Sequence, residues 1–368
     1  MIQSMTDLDD FVRGSTLYGT GGGGPQVLGK QLLLGSFEEG KDLSFTDIDT
    51  LPDDAWVCTA FSMGSIAPLT EEEQQRMADL GLVERSEPRV LVKAVTELEK
   101  ELGIEIAALV PVELGGLNCP APVDTAAQMG KKLIDGDLAG RAVPEVAQTT
   151  PRLLGYPITP ISCCDAWGNV TMIRATHSYD VAELLGKMLS IPAFEPIGLA
   201  CFAMTVADAK KALVPGTMTR NIATGAAVRE ARDAGRDPAQ AFADVAGGTV
   251  VFRGRATGKD WESKGGYMYI DEVISGEGDF EGRTFKIWVK NENHLSWLDG
   301  ELFITSPDLI QCVLADTGEP LTNTDIAVGD AVAVPNRKYR TPEGIAVLGP
   351  HHYGFKDIAY VPMEERLR

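Results

Sequence analysis

Apolar and polar positions follow a helical period in the first part of the chain and give way to a strand period near Gly247. Leu8, Phe11 and Val12 recur at helical spacing, so a short helix over residues 7–19 should run into the glycines that follow. A Pro52-Asp53-Asp54 turn precedes Trp56 to Phe61, which reads as a strand. Thr70 with Glu73 has the spacing of a capping box and should open a helix that stops near Gly81. Ser86 should open the next helix, with Pro88 in its first turn. Leu91, Val95, Leu98 and Leu102 form its apolar stripe, and Gly103 ends it. Ile104 to Val110 suits a strand covered on both faces, and a third helix is expected over Thr125 to Ile134.

Residues 157–175 read as strand, turn at Trp167-Gly168-Asn169, and return strand. Asp180 to Leu189 is helical, Gly198 to Thr205 is an apolar strand, and helices follow over Ala207 to Leu213 and Met218 to Ala234. Beyond Gly247, Phe285, Ile287 and Val289 alternate with polar residues, and Gly276-Glu277-Gly278-Asp279 reads as a hairpin loop. Further strands are expected at Leu302 to Thr305, Leu309 to Leu314, Ala331 to Val334 and Ile345 to Leu348. The expected architecture is multi-domain: an α/β N-terminal region with a mixed sheet over residues 1–170, then a mainly β (α+β) C-terminal region over residues 171–368.

Composition narrows the function classes. The 368 residues are 44% hydrophobic and 23% charged, with a net charge of −20. That is a globular composition with ample core. A strongly acidic chain lacks the basic field that nucleic acid or an anionic membrane requires. No apolar run is long enough to span a bilayer, and MIQSMTDLDDF has no signal-peptide pattern, so the expected compartment is the cytoplasm. The six cysteines form no CxxC pair, and free thiols are expected. Cys58, Cys201 and Cys312 sit in apolar runs and read as core. The four histidines form no HExxH, and His177, after a strand, reads as a hydrogen-bonded structural residue.

Among 39 glycines, Gly21 to Gly24 are consecutive. Gly19, Gly21 and Gly24 formally match G-x-G-x-x-G, but a helix rather than a strand is expected before them, and Pro25 follows. No Lys-Ser/Thr pair follows, so the run is not a P-loop. Two readings remain: a tight connection between packed elements, or a ligand-facing loop whose N–H groups cradle an anion or carbonyl, with Thr20 adding a hydroxyl. The cost of ordering four glycines favours the second.

The segment Gly14-Ser15-Thr16-Leu17-Tyr18-Gly19-Thr20-Gly21-Gly22-Gly23-Gly24-Pro25 resembles the N-terminal signature of the S-methyl thiohydantoin desulfurase-like family (DUF917). Three later segments are similar to that family in the same order. They are Asp135 to Glu145 (D-x-D-x-x-G-R-A-x-P-E), Ser306 to Ile310 with Asp316 to Pro320, and Gly349-Pro350 with Tyr353-Gly354-Phe355. The last departs in its aromatic order and encloses two histidines. The resemblance spans nearly the whole chain. It implies heterocycle catabolism beside hydantoinase/oxoprolinase-type enzymes: water would replace the C=S or C–S-methyl of a five-membered imidazolidinone ring by C=O.

Such chemistry needs an activated water or thiolate and donors for the developing charge. Asp137 and Glu145 are candidate bases and Arg141 a candidate fork for a substrate carboxylate, although three charges in one loop equally suit a surface ion-pair cluster. Asp165 lies beyond a strand end beside Cys164, a candidate nucleophile or soft ligand; at least one of Cys163 and Cys164 should be packed instead. Should a divalent metal take part, Asp165 and nearby Cys, His or Asp residues are the first candidates. Asn118 is placed to orient a ring carbonyl or to make an Asx turn. His351 and His352 suit acid–base work or a solvated turn. The lead expectation is a hydrolase-like enzyme on a cyclic small molecule, with the glycine loop and the 135–145 loop forming the cleft. A homo-oligomer and a hydantoinase-type partner enzyme are the partner expectations. The rivals are an ATP- or phosphate-using ligase-like enzyme and a non-catalytic metabolite-binding subunit of a hydantoinase-type complex.

Overall fold

The computed structural model describes residues 1–64, 69–337 and 347–367. Helix α1 (Met5–Tyr18) starts where the Ser4 hydroxyl accepts the Asp7 N–H, and it runs into the glycine loop. Helix α2 (Gln26–Glu38) leaves that loop, so the loop joins two helices and lacks the preceding strand that a dinucleotide fingerprint needs. Strand β1 (Trp56–Met63) follows, then α3 (Glu71–Asp79), α4 (Val90–Leu102), β2 (Ile106–Leu109), α5 (Pro120–Met129), β3 (Lys132–Leu133) and β4 (Gly136–Asp137). The Thr70–Glu73 capping box on α3 makes both of its reciprocal hydrogen bonds, and left-handed Gly103 closes α4.

Two helix positions differ from the pattern reading. Ser86 does not open α4: the N–H groups of Ser86 and Glu87 are drawn to the Ala166 carbonyl, and the helix begins after Pro88 and Arg89. The third helix lies earlier than Thr125 to Ile134. Pro120 is favoured at a helix start, left-handed Gly130 ends the helix, and Lys132–Leu133 pairs with β2 instead.

Next come α6 (Thr150–Leu153), the hairpin of β5 (Ile161–Cys164) and β6 (Val170–Ile173), α7 (Tyr179–Ala193), β7 (Ile197–Thr205), α8 (Val206–Ala212), β8 (Val214–Pro215), α9 (Thr217–Asp233) and α10 (Pro238–Ala246). The pattern reading lacks α10. The first sheet has the order β3-β2-β1-β7-β5-β6, parallel among β1, β2 and β3 and antiparallel elsewhere, hence mixed. Its two faces feed separate clusters. Cys58 and Ala60 of β1 pack with α4 and α5, whereas Val57, Phe61 and Met63 pack on the side of α7 and α8.

After Gly247 the chain is antiparallel sheet: β9 (Gly248–Lys264), β10 (Tyr267–Gly276), β11 (Thr284–Lys290), β12 (Glu292–Leu298), β13 (Glu301–Thr305), β14 (Leu309–Ile310), β15 (Cys312–Leu314), β16 (Pro320–Leu321) and β17 (Ala331–Arg337). Phe285, Ile287 and Val289 turn inward as their alternation requires, and the Gly276–Asp279 loop joins β10 to β11. The expected strand over Leu309 to Leu314 is two short strands separated by Gln311, whose side chain accepts the Gly21 N–H. Of Ile345 to Leu348, residues 345 and 346 lie outside the described residues, while Val347 and Leu348 are helical rather than extended. Helices α1, α9 and α10 pack together between the two sheets, and one cluster runs from Leu8 and Phe11 to Val313 and Ala333. No helix among the described residues is long and apolar enough to cross a membrane.

Candidate functional site

The parallel strands β1 and β2 end on the same edge of the first sheet, where open α/β sheets hold ligands. A cleft of about 200 Å³ lies there. One side comes from Phe61 to Gly64 and from the 112–118 segment beyond β2. The glycine loop, α7, Asn291–Glu292 and Thr322–Thr324 complete the wall, and the tip of the β9–β10 hairpin reaches over it.

The glycine run is packed on one side and open on the other. A Cβ on Gly22 would lie 1.9 Å from Glu292 Oε1, and one on Gly23 (φ 73°) would lie 2.5 Å from the Gly115 Cα. Only a bare backbone admits these neighbours. The Gly23 carbonyl accepts the N–H groups of Leu117 and Asn118, which ties the loop to the 112–118 segment. The N–H groups of Gly23 and Gly24 make no hydrogen bond among the described residues, and both glycines border the cleft.

Two carboxyl groups define the polar part of the cleft. Glu113 is 6% exposed; its Oε1 accepts Asn118 Nδ2 at 2.9 Å and its Oε2 accepts the Val143 N–H at 2.7 Å. Burial pushes its carboxyl up to about 7 despite those two donors. Glu292 is buried against Gly22, and its Oε2 has no partner among the described residues. Burial first, and the Glu113 charge second, hold Glu292 far above the usual carboxylate range. Two buried carboxyls facing one cleft cannot both ionise cheaply, so one stays protonated while the other titrates near neutrality.

Lys187 and Glu183 of α7 complete the set. Lys187 Nζ stands 3.2 Å from Glu183 Oε1, donates to the Gly266 carbonyl at 3.3 Å, and lies 2.9 Å from the Tyr267 ring centre. Burial raises the Glu183 carboxyl and lowers the Lys187 ammonium, each opposed by the other's charge. Glu183 Oε2 also accepts the Val146 N–H at 3.0 Å.

The residues singled out in the sequence divide into three groups. Gly21, Gly22, Gly23, Gly24 and Asn118 line the cleft. Asn118 Oδ1 accepts the Ser62 N–H at 3.1 Å while its Nδ2 holds Glu113. Thr20, Arg141 and Asp137 are wholly buried behind the cleft. Arg141 donates to Ser306 Oγ and the Pro307 carbonyl at 3.1 Å and to Thr20 Oγ1 at 3.4 Å. It braces the loop's support and presents no fork to a substrate carboxylate. Asp137 caps its own turn by accepting the Ala139 and Gly140 N–H groups, and burial raises it to about 6.

The remaining candidates stand apart. Glu145 pairs with Lys290 and, at 2.9 Å, with His352; these hydrogen bonds outweigh burial and hold its carboxyl down to about 2, unsuited to a base. His351 and His352 occupy the short turn Pro350–Tyr353 and do not line the cleft. Asp165 sits on the same sheet edge, two strands from β1. Its Oδ1 accepts the Trp167 and Asn169 N–H groups and its Oδ2 accepts Asn169 Nδ2, so it holds the β5–β6 turn. Cys164 is buried and its thiol is pushed up to about 11, the opposite of what a thiolate nucleophile needs. All six cysteines are free and buried. Among the described residues no three His, Cys, Asp or Glu side chains are grouped to hold a metal.

Glu113 had a signal in the sequence: it is the first charge after a fully apolar stretch, at the carboxyl end of a buried strand. Glu292, Glu183 and Lys187 had none, because nothing local tells that positions 183, 187 and 292 share a cleft with residue 22.

The family model of the S-Me-THD-like N-terminal domain matches residues 6–175, and that of the S-Me-THD-like C-terminal domain matches residues 177–363. No curated protein matches the chain. A solved structure is similar throughout: the crystal structure of a protein from Chromobacterium violaceum, 21% identical, covers 98% of this chain and 99% of its own with a TM-score of 0.75. At that identity the likeness speaks for the fold alone.

Proposed function

The chain belongs to the S-Me-THD-like, or S-methyl thiohydantoin desulfurase-like, family, and on that premise we propose that it is an enzyme that hydrolyses the carbon–sulfur bond of a thiohydantoin-type ring. Water adds to the ring carbon between the two nitrogens. The C–O bond forms and the C–S bond breaks. From an S-methyl ring, one proton of the water goes to ring nitrogen and the other leaves with sulfur as methanethiol; from a C=S ring, whose nitrogens keep their own protons, both leave with sulfur as hydrogen sulfide.

The observation that supports this reading is the pairing of Glu113 and Glu292 across one cleft. Glu113, titrating near 7, takes the proton from water. Glu292, held protonated by burial and by its neighbour, gives a proton to the departing sulfur. Asn118 fixes the Glu113 carboxylate, and the N–H groups of Gly23 and Gly24 receive a ring oxygen. Incubation of the purified protein with S-methyl and C=S thiohydantoins, with and without added divalent metals, should release methanethiol or sulfide. Binding of these rings without release of either product under any condition overturns the enzymatic reading and leaves a metabolite-binding subunit.

A further inference from the structure

Trp261 is 59% exposed, yet it stands at the mouth of the cleft. Its strand explains how it comes to be there. Trp261 pairs with Ile270 across the β9–β10 hairpin, and Ser263 pairs with Met268. Paired residues share a face and alternate residues return to it, so Trp261, Ser263, Met268 and Ile270 all stand on one face. Ile270 is 2% exposed and belongs to the core of the second sheet. The core-facing side of the hairpin therefore continues past the end of the core, and there it becomes a wall of the cleft with Trp261 uncovered.

The opposite side of the cleft adds Phe61, Met63 and Val112. The ionisable side chains of the cleft are one-sided in kind: the acids Glu113, Glu183 and Glu292 against Lys187. Arg141, the cation that suits a carboxylate, is buried elsewhere. A ligand carrying its own carboxylate would meet three acids, of which Glu292 is the one held protonated, and one lysine already paired with Glu183.

We propose that the site selects rings bearing an apolar, preferably aromatic, substituent, that Trp261 covers this substituent, and that rings with an anionic substituent are rejected. The inference rests on the ring-hydrolysis reading above and names the substrate class within it. It makes Trp261 a specificity-determining residue that plays no part in bond breaking.

The test compares four thiohydantoins, unsubstituted or carrying benzyl, isobutyl or carboxymethyl on the ring carbon away from sulfur, with the wild-type protein, Trp261→Ala and Trp261→Phe. Both kcat/KM and calorimetric Kd are read. In the wild type, kcat/KM should fall in the order benzyl, isobutyl, unsubstituted, with the carboxymethyl ring at least about tenfold below isobutyl. Trp261→Ala should lower the benzyl value about tenfold or more while leaving the unsubstituted ring within about twofold, and Trp261→Phe should restore most of the loss. An unchanged benzyl-to-unsubstituted ratio in Trp261→Ala, or a carboxymethyl ring used as readily as isobutyl, overturns this inference while ring hydrolysis stands. Failure of the wild type to bind or turn over any of the four overturns both.

Discussion

Glu113 and Asp165 invite direct comparison. Both follow a strand of the first sheet, both lie on the same sheet edge, and they are 6% and 7% exposed. Their partners differ. Asp165 receives three donors, all from its own turn, and closes the β5–β6 hairpin. Glu113 receives two donors, one per oxygen, in the company of Glu292 and Glu183. At nearly equal exposure, one side chain closes its own turn and the other is raised by burial to about 7. Burial raises the Glu113 carboxyl, and the two donors and neighbouring acids that its oxygens meet decide how much of that rise survives.

The largest effect should separate the two directly. Glu113→Gln should lower kcat by about a thousandfold, the usual scale of a lost general base, with only a small change in melting midpoint. Asp165→Asn should leave kcat within about threefold and destabilise the fold by about 1–2 kcal/mol through the lost turn acceptor. Thermal melts beside single-turnover rates check both, and loss of kcat in Asp165→Asn without a shift in melting would break the contrast.

The pH response comes next. The Glu113 carboxyl is raised from an ordinary 4.5 to about 7, so the folded chain holds a proton that the unfolded chain has lost. Its contribution to stability is full below about 4.5 and is lost as pH rises to about 7, on the order of 3 kcal/mol in all. Denaturant melts from pH 4 to 8 should show this decline, and Glu113→Gln should flatten it. The rate should run the other way, rising through about 7 as Glu113 deprotonates.

A geometric perturbation is somewhat smaller. Gly22→Ala sets a methyl 1.9 Å from Glu292 Oε1. The obstacle is the end of a side chain, so the carboxyl should move while the fold persists. Turnover is expected to fall about a hundredfold, with the melting midpoint shifted by a few degrees. A mutant that melts far below the wild type would show instead that the loop is chiefly structural.

The smallest effect belongs to the Glu145–His352 pair. Glu145 is held down to about 2, so its contribution is present above about 4.5 and lost as pH falls toward 2. His352→Ala should reduce that acid-side stability by under about 1 kcal/mol, because the imidazole is partly exposed, and should leave kcat within about twofold. A large loss of turnover would draw this pair into the chemistry.

Local chemistry made much of the fold legible. The Thr70–Glu73 box, the stop at Gly103 and the alternation of Phe285, Ile287 and Val289 each depend on neighbours within a few residues. The third helix lies earlier than the apolar pattern places it because Pro120 serves as its start and Gly130 as its end. In the site, the glycine loop and Asn118 were visible, since unusual composition marks them. Arg141 was visible as important, but its depth was not: a guanidinium that donates to Thr20, Ser306 and the Pro307 carbonyl is held by long-range partners that no local window contains. Glu292 was hidden for the same reason.

The cleft gathers glycines from near residue 22, a carboxyl from position 113, another from 292 and the turn at 322–324. A chain emerging from the ribosome therefore exposes its glycine loop and Glu113 long before Glu292 and Asn323 exist to complete the cleft. Nascent or prematurely terminated copies can fold the first sheet only up to its available strands, and they hold half of the proposed proton-transfer pair. Ring hydrolysis would then switch on late in translation, and a fragment lacking the hairpin and the 322–324 turn would be silent rather than weakly active.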